Sequence, residues 1–204
     1  MLTQTTLALG LQVLSERDAD LAQILRDLGA PPIWSREPGF PTLVHIILEQ
    51  QVSLASARAA FNRLQAAASP LTPQSFLELE DASLKNIGFS RQKMVYSRLL
   101  AEAILQGRLD LDTLKTMEDQ KARSALLQIK GIGPWTADIY LLMALHRPDV
   151  WPSGDLALAK AVQAVKRLSS LPTQDGLNEI ARAWQPWRAV AARLLWHYYL
   201  NRGR

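Results

Sequence analysis

Between Leu126 and Thr136 the chain reads Leu-Leu-Gln-Ile-Lys-Gly-Ile-Gly-Pro-Trp-Thr. A helical stretch ends here, a Gly-x-Gly turn follows, and Pro134 stands where a new helix opens, at a position that needs no N–H. Gly131 and Gly133 can take positive φ and leave their backbone N–H groups uncovered. The new helix N-terminus adds unpaired N–H groups and partial positive charge. Together these features make a socket for a phosphate group, blind to base sequence. A glycine C-cap with a short helix–helix turn gives the same string, so the residues alone leave both readings open. Further along, Asp155 follows the loop Trp151-Pro152-Ser153-Gly154 and precedes an apolar helical run. An Asp there is a good N-cap. The same position would also hold a carboxylate still beside a reacting group.

The elements that must carry these residues read as helices throughout. Ala, Leu, Gln, Arg and Glu dominate and β-branched runs are scarce, which predicts an all-α chain. Apolar residues recur at helical spacing from Thr5 to Leu28, and the segment Ala30 to Gly39, with three prolines, is a loop. Thr42 to Ala68 holds two helical stretches with a break near Gln51 to Ser53. Thr72-Pro73 is an N-cap followed by proline at the first helical position. Further helices are predicted over 91–106, 118–128, 134–145, 155–168, 173–184 and 187–200. Leu84 to Ser90 weakly echoes Leu126 to Gly133, as turn-then-helix chemistry often does.

Composition narrows the chemistry. The 204 residues contain no cysteine, which excludes disulfides, thiolate zinc sites and cysteine-ligated iron–sulfur clusters. His45, His146 and His197 are isolated and lack metal-ligand spacing. A net charge of +4 permits a nucleic-acid partner without demanding one. The opening residues lack a basic leader and no apolar run nears a membrane span, so neither a signal peptide nor a membrane partner is expected. Given a bacterial source, the expected setting is cytoplasmic.

The hairpin at 126–136, the loop and aspartate at 151–155, Gln185-Pro186-Trp187-Arg188 and Leu48-Glu49-Gln50-Gln51-Val52-Ser53 occur in that set over roughly residues 40–200. This pattern resembles the helix-hairpin-helix DNA glycosylase superfamily, and within it the alkylbase (3-methyladenine DNA glycosylase II) type. The resemblance implies a two-lobed, all-α helix-hairpin-helix glycosylase fold over 1–204. The expected form is the compact one, without the N-terminal α/β domain of larger bacterial members. It implies a monomer acting on double-stranded DNA that contains damaged bases. The reaction would be base flipping followed by hydrolysis of the N-glycosidic bond of alkylated, cationic purines, in base excision repair.

The resemblance assigns roles residue by residue. Asp155 is the catalytic carboxylate, stabilising positive charge at C1′ as the base departs. Trp135 stands where strand-cleaving members carry a nucleophilic lysine, which implies hydrolysis without a Schiff base. Trp135 and Trp196 match pocket-lining aromatic positions, whose ring faces would hold a cationic base. Ile139 and His197 depart from the tyrosines of close relatives and leave the lesion range open. DNA contacts are expected from Gln50, Gln51, Lys130, Gly131, Ile132, Gly133 and Thr136, with Gln51 at the position of the wedge that fills the space of a flipped base. A cleft between lobes, with Asp155 and Trp135 on opposite sides, would hold that base. No cofactor is required, although backbone carbonyls of Leu127, Ile129 and Ile132 match a monovalent-cation site (Na+ or K+). Asp138 reads as a structural hydrogen-bond acceptor, and Trp151, Trp184 and Trp187 as core. The alternatives are a non-catalytic helix-hairpin-helix DNA-binding protein, a helical protein-interaction scaffold, a lyase using another lysine, or a glycosylase for hypoxanthine, ethenoadenine or uracil.

Overall fold

A computed structural model describes residues 1–202; the last two residues of the expected 1–204 domain lie outside it. Among the described residues there are twelve α-helices, a 3-10 turn at Thr113–Lys115 and no strand. None of these helices is long and apolar enough to cross a membrane. The chain divides into two compact units, residues 1–35 with 141–204 and residues 36–140, and the boundary falls within one helix, Pro134–Met143.

In the first unit, the segment expected as one helical stretch from Thr5 to Leu28 is two helices. Asp18 ends α1 (Gln4–Arg17) and caps α2 (Ala19–Leu28), accepting the N–H groups of Asp20 and Leu21. The carboxylate competes for backbone donors and breaks a pattern whose apolar spacing runs on across it. The unit closes with α10 (Leu156–Val165), α11 (Gln174–Arg182) and α12 (Arg188–Asn201). Every residue of α12 from Ala189 to Trp196 is buried, and α1, α2 and α10 all pack on it. A helix buried on all sides is the centre of a bundle rather than a face of one.

In the second unit the same place is taken by α3 (Phe40–Glu49), with Thr42 through Glu49 buried. On it pack α4 (Leu54–Ala67) and α7 (Arg91–Leu105); α5 (Pro73–Leu77) lies on α7 and reaches Phe40 through Phe76, α6 (Asp81–Ile87) lies against α4 and α7, and α8 (Asp119–Leu127) and α9 (Pro134–Met143) follow. Ser53, Thr72 and Ser90 cap α4, α5 and α7 through their hydroxyls. The break expected near 51–53 is present between α3 and α4, and α6 is a helix that the periodicity alone did not bring out.

Candidate active site

The first unit assembles a fixed carboxylate against aromatic rings. Asp155 is the N-cap of α10: its Oδ1 accepts the Leu158 N–H at 2.9 Å and the Trp196 indole N–H at 3.3 Å. The cap and the half-buried carboxylate are therefore one feature, as the sequence allowed. The loop before it is anchored at several points. Trp151 sits in the core, its ring 5.4 Å from that of Trp184, and Trp184 donates to Asp18 at 2.8 Å. Arg188 clasps both carboxylate oxygens of Asp149 at 2.9 Å, and the Ala189 N–H reaches the Pro148 carbonyl. Charge-assisted bonds of this kind leave the following turn little freedom. The core roles expected of Trp151 and Trp184 hold, and Trp187 packs across Gly10.

Trp196 is itself only 8% exposed, with its edge toward Trp34 at 6.4 Å between ring centroids. Trp34, half-buried, also lies 6.5 Å from His197. The more open aromatic surface beside Asp155's indole partner is thus Trp34, which the sequence reading missed. Its backbone is left-handed at φ 50°, a conformation that costs a bulky residue energy and that marks functional sites more often than chance. The loop bearing it is pinned by Arg193, a fully buried guanidinium that donates to the carbonyls of Ile33, Ala189 and Leu142 at 2.8, 3.1 and 2.9 Å. Burial brings this arginine down to about 10. His197 Nε2 lies 3.2 Å from the Leu28 carbonyl oxygen, a contact that needs the proton on Nε2.

The second unit carries the hairpin. Gly131 is left-handed at φ 100°, and a methyl group there would lie 2.2 Å from Tyr96 Cγ. Gly133 does not share that conformation, contrary to the sequence expectation; it faces open space, and its carbonyl accepts the Ala137 N–H as α9 begins. Among the described residues neither glycine N–H donates a hydrogen bond, whereas the Ile132 N–H is spent on the Ile129 carbonyl at 3.0 Å. Lys130 is exposed. Beneath the turn, Arg123 of α8 binds Asp138 of α9 through two nitrogens at 2.6 and 3.2 Å, giving Asp138 the structural role expected of it.

Three of the expected contact residues are buried or engaged within the protein. Thr136 is 2% exposed and its hydroxyl accepts the Gln50 amide at 2.9 Å, so its side chain faces the protein interior. The second hydrogen of that amide goes to the Gly131 carbonyl at 3.0 Å, which commits the Gln50 nitrogen to the hairpin. Ile139, at 3% exposure, belongs to the core and offers a ligand almost no surface, because the helix turns that position inward. Trp135 is half-buried on the first turn of α9, and Gln51 is exposed with φ 57°.

Residues 44–186 match the family described as HhH-GPD superfamily base excision DNA repair protein. A solved structure of the Schizosaccharomyces pombe 3-methyladenine DNA glycosylase in complex with abasic DNA superposes with a TM-score of 0.87 at 27% identity, covering 92% of this chain and 94% of that one. The S. pombe DNA-3-methyladenine glycosylase 1 sequence is 28% identical over 79% of this chain and 72% of its own length. A Bacillus subtilis DNA-3-methyladenine glycosylase is 30% identical over 58% of this chain. The chain spans only 43% and 39% of the lengths of two B. subtilis relatives. With the family matched over most of its length, the chain belongs to the HhH-GPD superfamily of base excision DNA repair proteins.

Proposed function

We propose that this protein is a monofunctional DNA glycosylase that releases alkylated, cationic purine bases from double-stranded DNA, with Asp155 as its catalytic carboxylate. The observation that carries the reading is the Asp155 carboxylate, held by the Leu158 N–H and the Trp196 indole, next to the Trp34–Trp196–His197 ring cluster. An alkylated purine with a positive ring is drawn to the faces of such rings, by about 0.5–2 kcal/mol each. Its C1′–N bond breaks with the bonding pair leaving on the base, which departs neutral. Positive charge grows on the sugar, and a preorganised anion beside it lowers that barrier. Water then bonds to C1′ and gives up a proton, leaving an abasic site in an intact strand.

The remaining parts follow the same division of labour. The N–H groups of Gly131 and Gly133 and the N-terminus of α9 would hold a phosphate, with Lys130 adding charge. A monovalent cation on the carbonyls of Leu127, Ile129 and Ile132 is compatible with the turn, since the Ile129 oxygen keeps a lone pair after accepting the Ile132 N–H. Gln51 is the proposed wedge. It is exposed, left-handed, and flanked by Val52 and Leu54 at 45% and 65% exposure, which gives the turn an apolar tip suited to stacked bases. Trp135 in place of lysine removes the Schiff-base route.

The test is single-turnover release of 7-methylguanine from a duplex by wild type and Asp155→Asn, with borohydride added in a parallel reaction. Asn keeps the acceptor oxygen for both Oδ1 contacts, so the fold and duplex affinity should stay while release falls by about 100-fold or more. Release by both proteins at equal rates would remove Asp155 from the chemistry. Duplex binding without any release would favour a non-catalytic clamp, and a borohydride-trapped adduct would favour a lyase.

A further inference from the structure

The end of α3 is held from three directions within its own unit. Arg36 grips both oxygens of buried Glu49 at 2.8 and 2.9 Å. Lys93 of α7 donates to the Leu48 carbonyl at 2.7 Å. Gln50 sends one amide hydrogen to the Gly131 carbonyl and the other to the Thr136 hydroxyl. The same helix that supplies Lys93 lays Tyr96 against Gly131, the Tyr96 hydroxyl being fixed in turn by Gln92 at 2.6 Å. Immediately after this clamped base the chain turns left-handed at Gln51 and stays exposed through Ala55 and Ser56. The base of this exposed tip is thus tied to the hairpin through Gln50.

We infer that Gln50 is a positioning residue: its side-chain amide ties the 50–53 turn to the 131–136 hairpin, so that phosphate capture and insertion of Gln51 occur in fixed register. The inference deepens the proposed glycosylase reading and rests on it. A primary amide suits the task because both acceptors lie on the hairpin and one nitrogen supplies both hydrogens. A glutamate of the same size has no N–H for the Gly131 carbonyl, and a methionine has none for either acceptor. Without the tie, phosphate would still bind, but the wedge would sample positions from which it cannot hold the base out of the stack. Misplacement of a positioning group by about 1 Å is enough to lower a rate about 100-fold.

The experiment compares single-turnover release of 7-methylguanine from a fully paired duplex and from a duplex in which the same nucleotide is an unpaired bulge, where extrusion costs little. Wild type, Gln50→Glu, Gln50→Met, Thr136→Val and Gln51→Ala are each assayed, with melting temperatures taken alongside. Both Gln50 variants and Gln51→Ala should slow the paired substrate about tenfold or more, yet slow the bulged one less than about threefold. Thr136→Val, which leaves the Gly131 bond, should fall between these and wild type. A general loss of fold would slow both substrates together, and an equal loss on both overturns the inference. So does a Gln50→Glu enzyme indistinguishable from wild type. A wild type that releases base from neither duplex overturns the glycosylase reading and this inference with it, whereas an active wild type with an unchanged paired-to-bulged ratio in the Gln50 variants overturns the inference alone.

Discussion

Gly131→Ala and Gly133→Ala differ by one methyl group each and should fail in different ways. At Gly131 the added carbon lies 2.2 Å from Tyr96 Cγ, 2.4 Å from Tyr96 Cβ and 2.7 Å from Cδ1. These are the near atoms of the tyrosine, which cannot swing aside without moving α7. The residue is also at φ 100°, outside the comfortable range of any L-side chain. Left-handed backbone costs about 1–2 kcal/mol and overpacking about 1–3, so Gly131→Ala should lose roughly 2–5 kcal/mol of stability. That is a large share of the roughly 5–15 kcal/mol a domain has. At Gly133 nothing lies within 4 Å and φ is ordinary, so alanine should cost about 1 kcal/mol at most, the penalty for a poorer N-cap. Its methyl instead projects into the space a phosphate would enter, and duplex affinity should fall. Urea unfolding and duplex titration over a salt series would read the two effects separately. A Tyr96→Ala background removes the Cγ and Cδ1 contacts but keeps Cβ at 2.4 Å, so it should recover only a share of the steric loss and none of the backbone part. Equal stability of Gly131→Ala and wild type, or a larger loss at Gly133 than at Gly131, would refute the reasoning.

Three further outcomes follow from the first unit. Trp196→Phe keeps a ring but removes the N–H from Asp155, so base release should fall while the melting temperature shifts little; a rate equal to wild type would mean the indole does not orient the carboxylate. Arg193→Met removes the side-chain donor from the carbonyls of Ile33 and Leu142, and the second donor from that of Ala189, and should destabilise by about 3 kcal/mol or more in urea unfolding. Asp18 links pH to stability. Burial pushes its carboxyl up, but the hydrogen bonds from Lys166, Trp184 and the Leu21 N–H leave it below its ordinary 3.8. Its contribution is therefore present above pH 3.8 and lost as pH falls through the lowered folded value, and Asp18→Asn should flatten the acid limb of a stability–pH curve.

Much of this organisation was legible because local chemistry decided it. The amphipathic run from Arg91 to Gln106 gave α7 nearly to the residue, and Pro134 after Gly133 gave the start of α9. Asp155 before an apolar run was readable both as a cap and as a held carboxylate, and it is both a cap and an acceptor for Trp196. What escaped depends on tertiary neighbours. Asp18 breaks a helix whose apolar spacing continues in phase across it. Arg193 reads as a solvent-facing charge within α12 but is fully buried on three carbonyls. Trp34 is a solitary ring in a proline-rich loop, and only its packing on Trp196 gives it meaning; an aromatic isolated in such a loop was the available signal. Gly131 and Gly133 look alike in sequence, yet Tyr96, far away in the chain, makes the first indispensable and leaves the second open. Gln50 and Thr136 read as DNA contacts, and nothing in the sequence signalled that the Gln50 amide donates to the Thr136 hydroxyl.

The measurement that tests the central claim most directly is single-turnover release from matched duplexes carrying 7-methylguanine, 3-methyladenine, hypoxanthine or uracil at one position. Ring faces attract cations and an alkylated purine leaves neutral, so both methylated bases should be released faster than either neutral one. Release of uracil or hypoxanthine ahead of both methylated purines would contradict the assignment to alkylated bases, and absence of release from all four would contradict the glycosylase itself.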